Sequence, residues 1–232
     1  MQQTKNIEKM IKYRPFILCV LFLGVVLGHS MHAQNAKYST FYNQRNTLFD
    51  KLPISNKDII FLGNSITNGG EWTELFNNSR VKNRGISGDV CEGVYDRLYN
   101  ILEGTPKKIF LLIGINDVAR GASAVEVVSG IEKIVRKIQT DSPRTKIYVQ
   151  SLLPVNEKLN MFQGHTSKHE VVKDINKQLA EETNHWGVNF IDLYPHFLSS
   201  DGLRMDTKYT NDGLHLLGEG YVLWFCLINK YV

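Results

Sequence analysis

The chain is poor in cysteine, with three in 232 residues. Cys19 falls inside an N-terminal apolar run, which leaves Cys91 and Cys226. Both neighbour apolar residues at helical positions, so both are expected as buried free thiols, although export would permit a disulfide. No Cys/His spacing suggests a zinc site. His165 and His169 lie four apart, a metal-compatible spacing, but no third ligand is near and no metal is expected there. No apolar run reaches the roughly 20 residues that span a bilayer. No clustered basic face argues for nucleic acid, and the Lys107–Lys108 pair is expected as a solvated strand entry. Internal repeats and low-complexity segments are absent as well, and 22% charged residues with 43% hydrophobic ones exclude a disordered chain.

What is present begins with a leader. Lys5, Lys9, Lys12 and Arg14 precede an uncharged run of thirteen residues, 16–28, and then small residues. That order describes a secretory signal peptide, with cleavage after Ser30 or Ala33; an uncleaved anchor is the rival. We take 1–33 as the leader and 34–232 as one domain, exported to a periplasm or secreted. The leader carries +3 of the net charge of +4, so the mature chain is near neutral and offers nothing for stable membrane insertion or nucleic-acid binding.

Stretches at 58–62, 81–86, 108–113, 146–153 and 188–193 read as short strands, with 58–62 and 108–113 as apolar runs. Helical periodicity fills the spaces at 38–52, 90–102, 122–139, 168–184 and 216–232. In the first of these, Phe41, Leu48 and Leu52 mark the expected apolar side. The alternation predicts an α/β domain, a five-stranded parallel sheet covered on both faces as a three-layer α/β/α sandwich. Trp72 is expected to pack. Met161 and Phe162, in the aperiodic stretch 155–165, either line an acyl or sugar pocket or tuck under their loop, and the second is the expectation.

Four stretches carry chemistry. In 58–67, DIIFLGNSIT, Ser65 follows a buried strand, where open α/β sheets place their ligands; it is either a nucleophile or the cap of the next helix. In 83–89, NRGISGD, Gly88 lets a backbone N–H approach a substrate oxygen, or is a plain turn glycine. In 114–117, GIND, Asn116 can donate toward developing negative charge, or form an Asx turn. In 211–215, NDGLH, Asp212 and His215 have the spacing of an orienting carboxylate and a base. Ser65 is not in a G-x-S-x-G elbow.

Together these blocks resemble the four signature blocks of the SGNH (GDSL-type) hydrolases, in the family's order and across nearly all of the mature chain. The resemblance implies a flavodoxin-like fold, a Ser65–Asp212–His215 triad, an oxyanion hole of the Ser65 and Gly88 N–H groups with the Asn116 side chain, and no cofactor. Asn64 stands where the family's usual motif has Asp, and is expected to support the turn by hydrogen bonds. The stretch 72–88 looks like that of the acetylhydrolase-like branch. The expected activity is therefore hydrolysis of short acyl esters, O-acetyl esters of carbohydrate in particular, on a small-molecule or glycan substrate. A lysophospholipase or lipase, an SGNH acyltransferase and a catalytically silent glycan-binding module are the alternatives.

Overall fold

Alternating short strands and helices produce the predicted layers. The computed structural model describes residues 37–232; the leader expected at 1–33 lies outside the described residues. In chain order the elements are α1 (Thr40–Phe49), β1 (Ile59–Gly63), α2 (Ser65–Asn68), α3 (Trp72–Leu75), β2 (Val81–Gly85), α4 (Cys91–Asp96), α5 (Tyr99–Leu102), β3 (Lys108–Leu112), α6 (Ile115–Ala119), α7 (Ala124–Asp141), β4 (Lys146–Gln150), α8 (Gln163–Thr166), α9 (His169–Trp186), β5 (Asn189–Ile191) and α10 (Gly218–Ile228). The strands form one parallel sheet in the order β2-β1-β3-β4-β5. The chain starts in the sheet at β1, adds β2 on one side, then crosses to β3 on the other. That reversal opens a crevice at the carboxyl ends of β1 and β3, the place where such sheets bind ligands.

Register aligns one aromatic ladder across the sheet. Phe61 pairs with Phe110 and Phe110 with Tyr148, and their rings stack at 5.0 and 4.7 Å. Trp72 of α3 covers Phe61 at 4.3 Å, and Trp224 of α10 meets Trp72 edge-on at 4.8 Å. This face therefore docks the last helix, α10, against α3, the second helix after the first strand. Trp72 packs, as expected.

Four strands are shorter than the stretches expected for them, β4 and β5 by three residues each. β4 stops at Gln150 because side chains take over from the ladder. The Ser151 hydroxyl accepts the Leu193 and Tyr194 N–H groups, and Asn176 accepts that of Leu152. The helix expected at 90–102 is broken into α4 and α5 around Arg97 and Leu98. α7 starts at a capping box in which Ser123 and Glu126 exchange hydrogen bonds, and its expected stripe of Val127, Ile131, Ile134 and Ile138 is buried.

Three expectations need correction. In α1 the buried residues are Tyr42 and Phe49, whereas Phe41, Leu48 and Leu52 are 41, 45 and 41% exposed. Both pairs are seven apart, so periodicity cannot choose between adjacent stripes. Phe49 wins because the Arg45 and Arg84 guanidiniums each lie 4.7 Å from its ring. Cys91 is a buried free thiol, but Cys226 is free and exposed, on the outer side of α10. Lys108 is half-buried, its ammonium donating to the backbone oxygens of Tyr231 and Val232.

Candidate active site

β1 delivers Ser65 to the crevice. Its last residue, Gly63, must be glycine, since a Cβ there would lie 2.2 Å from the Leu112 carbonyl oxygen. Asn64 then caps α2, its side-chain oxygen accepting the Ile66 N–H at 3.0 Å. This is the turn support expected of Asn64. Its Nδ2 is buried without a partner among the described residues. Gly85 at the end of β2 lets α2 come close, for a Cβ would sit 2.3 Å from the Asn68 nitrogen. Asn83 ties the exit of α2 down, reaching the carbonyls of Thr67, Asn68 and Gly70 at 2.9–3.0 Å. Tyr221 of α10 donates to the Ile66 carbonyl at 2.9 Å, and its burial raises its pKa to about 12.

The loop before α10 brings the partners. Ser65 Oγ is 3.0 Å from His215 Nε2, and His215 Nδ1 is 2.8 Å from Asp212 Oδ2. The other Asp212 oxygen accepts the Leu214 and His215 N–H groups, each at 2.8 Å. Gly213 takes φ +84°, and a side chain there would collide with the Asn156 carbonyl at 2.2 Å. Glycine is thus required by both torsion and space. An imidazole held this way can take a proton from the serine while the carboxylate fixes its tautomer.

Burial alone would raise the Asp212 carboxyl. The His215 ring and the His215 and Leu214 N–H groups outweigh it and hold the group below its ordinary value. A carboxylate depressed on folding lends stability that is complete above about pH 4 and is lost as pH falls through the depressed value. Urea midpoints should therefore fall more steeply in wild type than in Asp212→Asn as pH drops below about 4. Parallel curves would show that this carboxylate contributes nothing to acid stability.

Gly88 follows β2 with φ +81°, and a Cβ there would meet nothing within 4 Å, so torsion alone demands the glycine. Arg120 Nη2 donates to its carbonyl at 3.0 Å. Asn116 sits in α6, immediately after β3. Its Nδ2 donates to the Asp89 carbonyl at 2.8 Å, which leaves one amide N–H for a ligand. Its Oδ1 lies 2.9 Å from His165 Nε2. Asp89 in turn holds Arg97, whose Nε donates to Asp89 Oδ2 at 2.8 Å and whose Nη2 donates to the Gly63 carbonyl at 3.1 Å. Ser65, Gly88 and Asn116 are thus delivered by the carboxyl ends of three adjacent strands.

Sequence reasoning missed two of these supports. Arg97 follows Val94 by three residues, on the buried side of its helix, and an arginine in that stripe was the available signal. In sequence, His165 has only His169, four residues on, as a neighbour of matching chemistry. The two rings go separate ways, His169 Nδ1 facing Glu157 at 3.6 Å. Met161 and Phe162 do not tuck under their loop. They are 48 and 44% exposed, and the Phe162 ring stands edge-on to the His215 ring at 5.1 Å. The reason is backbone: Phe162 takes the left-handed conformation, φ 50°, so that its carbonyl can receive the His165 and Thr166 N–H groups.

The family model described as GDSL-like Lipase/Acylhydrolase matches residues 61–223, a span that holds Ser65, Gly88, Asn116, Asp212 and His215. The chain belongs to that family. The GDSL-like enzyme is 36% identical over 171 residues to platelet-activating factor acetylhydrolase IB subunit alpha2 of Rattus norvegicus, covering 71% of each chain. The alpha1 subunit of Pongo abelii is 29% identical over 170 residues. Among solved structures, a Streptococcus pneumonia protein provisionally described as a platelet activating factor superposes with TM-score 0.75. It is 27% identical, with 93% of this chain and 98% of that one covered. A GDSL-like lipase of Bacteroides thetaiotaomicron, 22% identical at TM-score 0.70 over 82 and 96% of the chains, shares the fold. This GDSL-like chain is an ester-hydrolysing enzyme with the α/β/α fold its sequence predicted. No helix among the described residues is long and apolar enough to cross a membrane.

Proposed function

We propose that this enzyme removes short acyl groups, acetyl foremost, from carbohydrate esters outside the cytoplasm. The observation that carries the chemistry is the unbroken chain Ser65 Oγ–His215–Asp212, at 3.0 and 2.8 Å. Ser65 attacks the ester carbonyl as His215 takes its proton, and Asp212 stabilises the imidazolium. The tetrahedral oxyanion is held by the Ser65 and Gly88 N–H groups and by the free N–H of Asn116. His215 then protonates the leaving alcohol. A water, deprotonated by the same ring, releases the acyl group and regenerates Ser65.

Acetyl is supported by the relatives' name, acetylhydrolase. The extracytoplasmic carbohydrate rests on the basic and apolar leader, read as a signal peptide. A lipid acetyl ester is the second reading, favoured by the same relatives' name, platelet-activating factor. Hydrolysis of p-nitrophenyl esters of increasing acyl length tests the first part, with activity expected to be highest at acetyl and to fall with length. A rise with length would return the enzyme to the lipases. Acetylated monosaccharides compared with platelet-activating factor at equal concentration then decide the alcohol. A preference for the phospholipid would overturn the carbohydrate reading and leave the acetyl one standing.

A further inference from the structure

One histidine close to the site has no part in the chemistry just described. His165 lies in the one-turn helix α8, half-buried, with Nε2 2.9 Å from Asn116 Oδ1. The direction of that bond can be assigned. Asn116 Nδ2 donates to the Asp89 carbonyl at 2.8 Å, and turning the amide over would set two carbonyl oxygens against each other. The oxygen of the amide therefore faces His165, and Nε2 must carry its proton. Burial, followed by the neighbouring His215 charge, lowers the His165 pKa and favours the neutral ring. The turn that carries the ring is also held. The His165 N–H donates to the Phe162 carbonyl at 2.7 Å, and Thr166 Oγ1 donates to that of Met161 at 3.0 Å. Asn156, at the head of the same segment, donates its N–H to the Gly213 carbonyl at 2.9 Å. The segment that holds His165 is thus bonded to the loop that holds Asp212 and His215.

We propose that His165 is a positioning residue for ester hydrolysis, which fixes and polarises the Asn116 amide so that its free N–H faces the oxyanion. The proposal rests on the reading of Asn116 as an oxyanion donor. A hydrogen bond received at an amide oxygen draws electron density from the nitrogen and strengthens its N–H as a donor. It also stops rotation of the amide about χ2, a torsion that is otherwise broad. Between the Asp89 carbonyl and the His165 N–H, Asn116 is held at both ends and needs no reorganisation when charge develops.

The effect belongs in kcat, because the oxyanion exists only beyond the ground state. His165→Leu should lower kcat for p-nitrophenyl acetate about tenfold with KM nearly unchanged. His165→Gln, whose amide nitrogen can reach the same oxygen, should recover most of the loss, and the shorter His165→Asn should not. Asn116→Ala alone should cost about 100- to 1000-fold. In that background His165→Leu should have almost no further effect, since it acts through the missing amide. A full tenfold loss in the Asn116→Ala background, a loss confined to KM, or a glutamine variant no better than the asparagine one would each overturn the proposal. Should the leucine variant not fold, the glutamine–asparagine comparison decides alone. Wild-type kcat in Asn116→Ala would instead sink the oxyanion reading, a result recognisable without any His165 variant.

Discussion

Ser65→Ala should abolish ester hydrolysis, with a loss in kcat on the order of a millionfold and little change in substrate affinity. The hydroxyl is the group that the His215 ring faces, at 3.0 Å, and without it His215 and Asp212 have nothing to activate in the first step. A residual rate above that of water should survive, because the proposed oxyanion donors are untouched. The fold should survive too. α2 is capped by Asn64 and clamped by Asn83 and Tyr221, none of which uses the Ser65 side chain. The thermal midpoint of the variant should therefore match that of wild type. Equal turnover in the two proteins, each purified free of host esterases, would remove Ser65 from the mechanism and the triad with it.

The second large effect is on stability. Arg97→Met should destabilise the fold by about 3–5 kcal/mol at neutral pH, a large part of the 5–15 kcal/mol that ordinary domains possess. Arg97 is wholly buried, and so is Asp89 opposite it. Methionine fills similar volume but leaves a carboxylate in a site with no other cation bonded to it. Burial already pushes the Asp89 carboxyl up, and Arg97 pulls it back. Without Arg97 the shift should grow. The variant should then recover stability as pH falls and Asp89 takes up a proton, the sign expected when the folded state binds protons more tightly than the unfolded one. Arg97→Met combined with Asp89→Leu should regain much of the loss, because replacing both members of a buried pair is often close to neutral. Urea unfolding at pH 7 checks all of this. A change below about 1 kcal/mol in the single variant would mean that the pair adds no more than a surface bridge.

The catalytic loss in Arg97→Met should exceed what unfolding explains. Arg97 joins the Gly63 carbonyl, one residue before Asn64, to Asp89, whose own carbonyl receives Asn116. The nucleophile loop, the Gly88 loop and α6 are thus bound to one buried guanidinium.

Much of this was legible in the sequence, and the reasons are physical. A strand buried on both faces must be apolar, so β1 and β3 stood out as runs, whereas β2 carries Lys82, Asn83 and Arg84 and was marked by the glycine turn that follows it. Gly88 and Gly213 adopt torsions that glycine takes readily, and each fell within a recognisable block. What stayed hidden depends on which surfaces meet. The choice of Tyr42 and Phe49 over Phe41 and Leu48 turns on two arginines, one of them 35 residues further along the chain. The three carbonyls gathered by Asn83 are brought to it by the fold of the preceding loop. Likewise, nothing near His165 in sequence points to Asn116, 49 residues away. Strand ends were slightly overrun wherever a serine or asparagine side chain replaced the ladder, as at Ser151 and Asn176.

The Ser65–His215 bond joins residues 150 positions apart. A chain leaving the ribosome therefore presents Ser65 long before His215 has been made. For most of its synthesis the polypeptide carries Ser65 without the imidazole that faces it in the fold. On the proposed triad, activity begins only when the loop of His215 closes over strand ends laid down first, among the longest-range contacts the chain makes and so expected late in folding. On that proposal the enzyme acts as its own zymogen, restrained by the order of its sequence and released by completing its fold.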